Sequence, residues 1–89
     1  MGLRWTQTAL RSLDEIAEFI ANDSPTGATR FVLDLKAAVI RLQMHPGMGR
    51  AGRVTGTREL VVYKNYIAIY RVRGDEVEIL RLQHVARNL

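Results

Sequence analysis

Residues 57–84, TRELVVYKNYIAIYRVRGDEVEILRLQH, decide the fold of this chain. They are rich in Val, Ile, Leu and Tyr, which suit the packed surface of a β-sheet. We predict three strands, at residues 58–63, 66–73 and 77–83. Gly74-Asp75 predicts a tight antiparallel hairpin between the second and third strands, because glycine adopts a positive φ without strain. Lys64-Asn65 is placed to close a hairpin between the first two.

Both faces of this predicted sheet carry apolar residues. Successive side chains of a strand point to opposite faces. In the second strand, Ile67 and Ile69 therefore lie on the opposite face from Tyr66, Ala68, Tyr70 and Val72. In the third strand, Val77 and Ile79 lie on the opposite face from Leu80 and Leu82. A sheet with one face in water alternates more cleanly between apolar and polar residues. Each face therefore needs a cover, and arginines at positions 58, 71, 73, 81 and 87 border the strands.

Length and composition indicate one domain, covering residues 1–89, with an ordinary hydrophobic core. The chain is 47% apolar and contains no cysteine, which excludes a disulfide framework and a thiolate zinc site. No apolar run approaches the roughly 20 residues that cross a bilayer. The first residues, MGLRWTQ, lack the hydrophobic core of a signal peptide. We expect a soluble cytoplasmic protein.

Positive charge is concentrated in the second half of the chain. The net charge is +4, and residues 41–89 carry nine basic against four acidic side chains. Most of the basic residues are arginines, which bind phosphate and carboxylate groups through two parallel hydrogen bonds. The pattern indicates either a polyanionic or acidic partner, or a solvated basic surface that confers only solubility.

Two amphipathic helices are predicted between a short strand at residues 2–5 and the three strands. In the first helix, Leu10, Leu13, Ile16, Ala17 and Ile20 recur at helical spacing as one buried stripe. The corresponding residues of the second helix are Ala28, Phe31, Val32, Leu35, Ala38, Val39 and Leu42. Thr6 or Thr8 can cap the first helix, and Ser24 before Pro25 can cap the second. Their short connection predicts an antiparallel helical hairpin.

Residues 45–53, HPGMGRAGR, form a predicted loop, because three glycines and a proline exclude a helix. The loop lacks the ending of a phosphate-binding P-loop, and no strand precedes it as in a dinucleotide fingerprint. It is either a simple connection or a segment that holds Arg50 and Arg53 near the sheet. The order β-α-α-β-β-β predicts an α+β fold, with the helical hairpin on one face of a mainly antiparallel sheet. The other face is left for a partner.

Several segments together make the chain resemble the RelE/ParE superfamily of toxins from bacterial type II toxin–antitoxin modules. They are WTQTALRSLDEIAEFI at residues 5–20, HPGMGRAGRV at residues 45–54, and TRELVV, YIAIYRV and VEILRLQHVAR in the strands. The resemblance covers nearly the whole chain. It implies a growth-arresting toxin that a co-expressed antitoxin neutralises. It leaves the target open, because RelE-like members cleave mRNA in the ribosome and ParE-like members inhibit DNA gyrase.

The nuclease pattern of RelE-like members is only partly present. RNA cleavage through the 2′-hydroxyl needs a base, an acid and cations around one phosphate. As a ribonuclease, the chain would use Arg58, Glu59, His84 and Arg87. Against this, Leu60 and Ile67 stand where the pattern has basic residues, and its C-terminal tyrosine has no counterpart.

We therefore expect a ParE-like toxin that inhibits DNA gyrase and has no cofactor, metal or catalytic residues. The alternatives are a metal-independent, ribosome-dependent mRNA endoribonuclease and a non-toxic relic that only binds an antitoxin. The expected partners are a cognate acidic antitoxin and gyrase, or the ribosome and mRNA, and no membrane. The residues expected to bind the target, as one basic surface, are Arg50, Arg53, Arg58, Arg81 and Arg87. Those expected to bind the antitoxin, on the uncovered face of the sheet and its border, are Tyr66, Tyr70, Arg71, Arg73, Leu80 and Leu82.

Overall fold

The order of helices and strands follows the prediction closely. The computed structural model describes residues 1–86. Its elements are β1 (Gly2–Trp5), α1 (Gln7–Asp23), α2 (Pro25–Met44), β2 (Arg50–Ala51), β3 (Arg58–Tyr63), β4 (Tyr66–Arg73) and β5 (Glu76–His84). Neither helix of this part of the chain is long and apolar enough to cross a membrane.

The strands of residues 1–86 form one mixed sheet, in the order β1-β5-β4-β3-β2. β1 runs parallel to β5, and the other neighbouring strands are antiparallel. The predicted α+β fold, with both helices on a mainly antiparallel sheet, is confirmed. β2 is an addition to the predicted strands, because two residues are too few to show the alternation by which a strand is recognised.

Both helices begin at residues with a capping side chain. The hydroxyl oxygen of Thr6 accepts a hydrogen bond from the Ala9 amide at 3.0 Å, and that of Ser24 accepts one from the Gly27 amide at 2.9 Å. These bonds satisfy amides that have no partner within their helix. Pro25 lies in the first turn of α2, where it has no amide bond to lose. Ser24 is also the C-cap of α1, so the helices form a tight hairpin.

The core lies between the helical hairpin and one face of the sheet, which we call the helix side. Its largest fully buried side chains are Tyr70, Phe31, Leu42, Ile79, Leu82 and Val77. Phe31 of α2 meets Tyr63 of β3 edge to face, with 5.6 Å between ring centroids. Such aromatic pairs stabilise a core by about 0.5–1.5 kcal/mol beyond the effect of burial.

A β-bulge in β5 overturns the predicted alternation of its side chains. Ile69 pairs with Arg81 but Tyr70 pairs with Ile79, so Leu80 is an extra residue between them. The extra residue lets Ile79 and Leu82 both face the core, whereas strict alternation sets them on opposite faces. The predicted opposition of these two residues is therefore wrong.

Two side chains at the start of α1 bind the backbone around this bulge. The Thr6 hydroxyl donates a hydrogen bond to the Leu80 carbonyl oxygen at 3.0 Å. The Leu82 amide donates one to the buried Ser12 hydroxyl, also at 3.0 Å. Because unpaired backbone groups are unfavourable in a core, these contacts stabilise the irregular strand. They also tie α1 to the sheet.

Candidate functional site

The face of the sheet away from the helices, which we call the open face, holds a shallow concavity of about 240 Å³. Ile67 and Ile69 of β4 contribute apolar surface to it. Ile67 is only 4% exposed, although no helix of residues 1–86 covers this face. The complete lining is Arg50, Arg53, Val54, Thr57, Glu59, Ile67, Ile69, Gln83 and Val85. The concavity thus combines an apolar base with arginines at its edge.

An ion pair across β2 and β3 fixes one edge of the concavity. Arg50 and Glu59 are cross-strand partners. The Nε and Nη2 atoms of Arg50 donate to the same carboxylate oxygen of Glu59, at 3.2 and 3.0 Å. The side chains differ in exposure, 72% for Arg50 and 11% for Glu59. Arg50 therefore presents its charged group to solvent while Glu59 orients it from below.

A second, more buried ion pair lies on the open face between β1, β5 and β4. The Glu78 carboxylate accepts hydrogen bonds from Arg71 Nε at 2.6 Å and from Arg4 Nη1 at 3.2 Å. The bond from Arg71, strengthened by the positive charges of Arg71, Arg4 and Arg73, holds the pKa of Glu78 below its ordinary value, although burial acts in the opposite direction. Glu78 thus stays ionised and fixes two of the arginines that border this face.

The open face brings together much of the predicted arginine surface. Strand alternation and register place six arginines on this face or at its edge, and we call them the arginine border. They are Arg4, Arg50, Arg53, Arg71, Arg73 and Arg81. Three of the five arginines predicted to bind the target belong to this border: Arg50, Arg53 and Arg81. Arg87 lies outside the residues that the structure describes.

Arg58 departs from the predicted surface. It pairs with Tyr70 and therefore lies on the helix side, whereas its neighbour Glu59 lies on the open face. Its Nη1 atom donates hydrogen bonds to the carbonyl oxygens of Gly49 at 2.8 Å and Gly47 at 3.3 Å. The expectation that Arg58 shares one surface with Arg50 and Arg53 is therefore wrong, because successive residues of a strand face opposite ways.

The predicted antitoxin contacts are also divided between the two sides of the sheet. Tyr66, Tyr70 and Leu82 are buried in the core beneath the helices. The expectation that they line an uncovered face is wrong, since the even-numbered residues of β4 and the bulge of β5 turn them inward. Leu80 is half-buried at the bulge. Arg71 and Arg73 belong to the arginine border and stay accessible.

The candidate nuclease pair, Glu59 and His84, does not converge. Glu59 is on the open face of β3, whereas His84 pairs with Tyr66 on the helix side of β5. The His84 ring packs edge to face on Tyr66 at 5.1 Å, and its Nδ1 accepts a hydrogen bond from the Ala86 amide. Two strand spacings, roughly 10 Å, separate them across the sheet. They cannot act together on one phosphate in this arrangement.

A second surface, the helix-side groove, lies between β1, α1 and α2. It has a volume of about 430 Å³ and is lined by Leu3, Trp5, Leu10, Leu13, Val32, Leu35, Lys36, Val39, Ile40 and Gln43. Leu10, predicted to be buried, is 47% exposed at its edge, because Ala9 and Ser12 of α1 take the buried positions. Ile40 is 58% exposed. This groove was not predicted from the sequence. Ile40 could have indicated it, because it is an apolar residue outside the predicted buried stripe of its helix.

The part of the chain that the structure describes contains no group of three or more His, Cys, Asp or Glu side chains placed to hold a metal ion. Two of the acidic side chains on the open face bind arginines. Glu59 bonds Arg50, and Glu78 bonds both Arg71 and Arg4. The chemistry available at this face is therefore charge complementarity and hydrogen bonding.

Comparison with known proteins finds relatives that are named after both ParE and RelE. The family model described as the ParE toxin of type II toxin–antitoxin system, parDE, matches residues 3–89. The chain is 47% identical over 83 residues to the protein Y4kP of Sinorhizobium fredii, covering 92% of this chain and 85% of that one. It is 41% identical over 83 residues to Toxin RelE2 of Caulobacter vibrioides, covering 93% of each.

Two solved structures share the fold. The chain matches the chromosomal ParDE TA system from P. aeruginosa with a TM-score of 0.81 and 35% identity, over 96% of each chain. It matches the YoeB/ParE toxin from Agrobacterium tumefaciens with a TM-score of 0.66 over 94% of this chain and 98% of that one. At 18% identity, the second likeness supports the fold alone.

Proposed function

Because the chain belongs to the ParE toxin family of type II toxin–antitoxin systems, we propose that it arrests bacterial growth by inhibiting DNA gyrase and that a cognate acidic antitoxin neutralises it. The proposed target lies in the cytoplasm, where we expect the toxin to act. The resemblance noted in the sequence implies gyrase for ParE-like members and mRNA for RelE-like ones. The geometry of the two candidate nuclease residues supports the first of these functions.

The single observation that carries the proposal is the separation of Glu59 and His84. General acid–base catalysis requires both groups within hydrogen-bonding reach of one reacting phosphate. Here one residue is bound to Arg50 on the open face, and the other packs on Tyr66 on the helix side. A toxin that acts by binding needs no such convergence. It needs an accessible surface of suitable charge, which the arginine border supplies.

The target surface is proposed to be the open face, with Arg50 and Arg53 at the edge of its concavity. Gyrase works on DNA, so a basic face on its inhibitor fits the negative potential around the enzyme–DNA complex. Arg50 is already oriented by Glu59, so little side-chain freedom is lost when a partner binds it. This preorganisation distinguishes it from an arginine that is merely exposed.

A direct test expresses the toxin in bacteria without its antitoxin and follows DNA synthesis, protein synthesis and mRNA integrity separately. Purified toxin is assayed in parallel for inhibition of plasmid supercoiling by gyrase. We expect a DNA-damage response, filamentation and intact bulk mRNA. His84→Ala should retain growth arrest to within a few-fold, because no proton transfer depends on this residue. Codon-phased mRNA cuts that disappear in His84→Ala would instead favour the ribonuclease, and unimpaired growth would favour the non-toxic relic.

The antitoxin is proposed to bind the helix-side groove through an amphipathic helix. The apolar residues of this helix would cover Leu10 and Ile40, which are exposed at the groove. Its carboxylates would be attracted by the toxin's net charge of +4. Arg71 and Arg73 offer accessible partners for further acidic residues. The test is co-purification with the product of the neighbouring gene. We expect the toxin alone to be poorly soluble because the groove is apolar.

A further inference from the structure

We propose that Tyr70 and Arg58 are positioning residues, which act from the helix side of the sheet to place Arg50 on the open face. The inference rests on the target-binding role of Arg50 proposed above. Tyr70 and Arg58 are direct cross-strand neighbours on β4 and β3. Both side chains bind residues 46–49, the segment that enters β2.

The Tyr70 hydroxyl forms two hydrogen bonds to this segment. It accepts one from the Gly49 amide at 2.9 Å and donates one to the Pro46 carbonyl oxygen at 2.8 Å. Tyr70 is fully buried, so the hydroxyl has no water to replace either partner. A phenylalanine would fill nearly the same volume in the core. The hydroxyl is therefore explained by the loop and not by core packing.

Arg58 holds the same segment through its carbonyl groups. Its Nη1 atom bonds the Gly49 oxygen at 2.8 Å and the Gly47 oxygen at 3.3 Å. With the bond from Tyr70, both the amide and the carbonyl of Gly49 are thus bound by side chains of the sheet. A Cβ atom at position 49 would lie 2.6 Å from the Tyr70 hydroxyl oxygen, so this close approach requires glycine.

Holding Gly49 also constrains Arg50 on the open face, because Arg50 is the next residue in the chain. β2 has only two register pairs with β3, Arg50 with Glu59 and Ala51 with Arg58. A strand this short has few contacts of its own to prevent local opening. Binding of Gly49 from the helix side fixes the start of β2. It thereby fixes the direction in which the Arg50 side chain meets Glu59 and any partner.

Amide hydrogen exchange of Tyr70→Phe tests the structural half of this inference. We expect exchange at residues 49–51 to become at least about tenfold faster, while the amides of β4 keep their protection. Arg58→Gln, at an exposed site that does not disturb the core, should produce the same local change. Tyr63→Phe is the matched control, because it removes a tyrosine hydroxyl elsewhere on the sheet and should leave residues 49–51 unchanged.

Growth arrest tests the functional half, through the inducer concentration that halves the growth rate. Tyr70→Phe should weaken arrest about as much as Arg50→Ala. The double variant should be no weaker than Arg50→Ala alone, because both changes act through one side chain. An additive loss of growth arrest in the double variant would contradict this inference. Unchanged amide exchange at residues 49–51 in Tyr70→Phe and in Arg58→Gln would also contradict it.

These outcomes separate the inference from the proposed function. If Arg50→Ala arrests growth fully, the target-binding role of the open face is wrong, and so is a positioning role that depends on it. If Arg50→Ala loses arrest while Tyr70→Phe keeps it despite faster exchange, only the positioning role is wrong. The inference is supported if Arg50→Ala and Tyr70→Phe both lose growth arrest, exchange at residues 49–51 is faster in Tyr70→Phe, and the double variant loses no more than Arg50→Ala. This holds whether gyrase or another target is inhibited.

Discussion

The two sides of the molecule offer opposite chemistry to a partner. The open face has an apolar base of Ile67 and Ile69 with arginines along its border, and the half-buried Glu59 and the buried Glu78 hold arginines in place. The helix-side groove is lined almost entirely by aliphatic and aromatic residues, with Lys36 and Gln43 the polar members of its lining. This small domain therefore offers a charged binding surface and a separate apolar one.

The difference predicts how each partner binds. Interactions of exposed arginines are long-ranged, accelerate association and weaken as salt screens them. Burial of apolar side chains in a groove mainly slows dissociation and depends little on salt. Substitutions in the groove should therefore weaken antitoxin binding and spare the target, whereas substitutions of Arg50 and Arg53 should weaken target binding and spare the antitoxin.

The largest effect is expected in the groove. Ile40→Asp places an unpaired charge where an apolar antitoxin side chain would pack, and should raise the antitoxin Kd by about 100-fold or more. Because Ile40 is 58% exposed in the free toxin, the variant should fold normally. Isothermal titration with the cognate antitoxin measures the change. Leu33→Asp, on the same helix and 54% exposed but outside the groove, is the control and should bind normally.

The next effect is expected at the loop that enters the open face. Gly49→Ala brings a methyl group to 2.6 Å from the Tyr70 hydroxyl oxygen and 2.8 Å from the Glu59 carbonyl oxygen. We expect a loss of about 1–3 kcal/mol in the free energy of unfolding, from the cost of overpacking, together with reduced growth arrest. Urea denaturation measures the first quantity. Gly47→Ala, whose methyl group would meet nothing within 4 Å, should change stability little and serves as the control.

A smaller effect is expected from single arginines of the border. Arg53→Ala should leave the free energy of unfolding within about 0.5 kcal/mol of the parent, because the residue is exposed. It should nonetheless weaken growth arrest several-fold and make target binding less sensitive to salt. Arg11→Ala removes the same charge from the exposed surface of α1 and should do neither. Equal effects of the two substitutions would show that net charge matters and the open face does not.

The smallest effect is expected in the way the Glu78 carboxylate makes stability depend on pH. The hydrogen bond from Arg71 and the nearby arginine charges lower its pKa in the folded state, so the unfolded chain takes up this proton at a higher pH. The stability from this carboxylate is present above the ordinary glutamate pKa, about 4.3, and is lost as the pH falls through the folded-state pKa. Glu78→Gln should therefore lower the melting temperature at neutral pH and weaken its further fall as the pH drops below about 4.3. A parallel acid dependence in parent and variant would contradict it.

Local patterns predicted the elements well because they are set by neighbouring residues. Apolar spacing identified both helices, Ser24 and Pro25 marked their junction, and Gly74 marked a hairpin turn, where its φ is +62°. The candidate site was predicted only in part. Arg50 and Arg53 do lie at the open face, whereas Arg58 and Tyr70 belong to the helix side and bind the loop.

The sequence by itself determined the α+β class, the order of the long elements and the excess of arginine near the strands, since periodicity, capping and charge are local properties. Only the tertiary structure decided which face each side chain occupies. One extra residue at Leu80 reverses the alternation of β5, and that bulge is stabilised by Thr6 and Ser12, far away in the chain. The separation of Glu59 from His84 likewise follows from strand register. Register depends on contacts across the whole sheet, so no local pattern contains it.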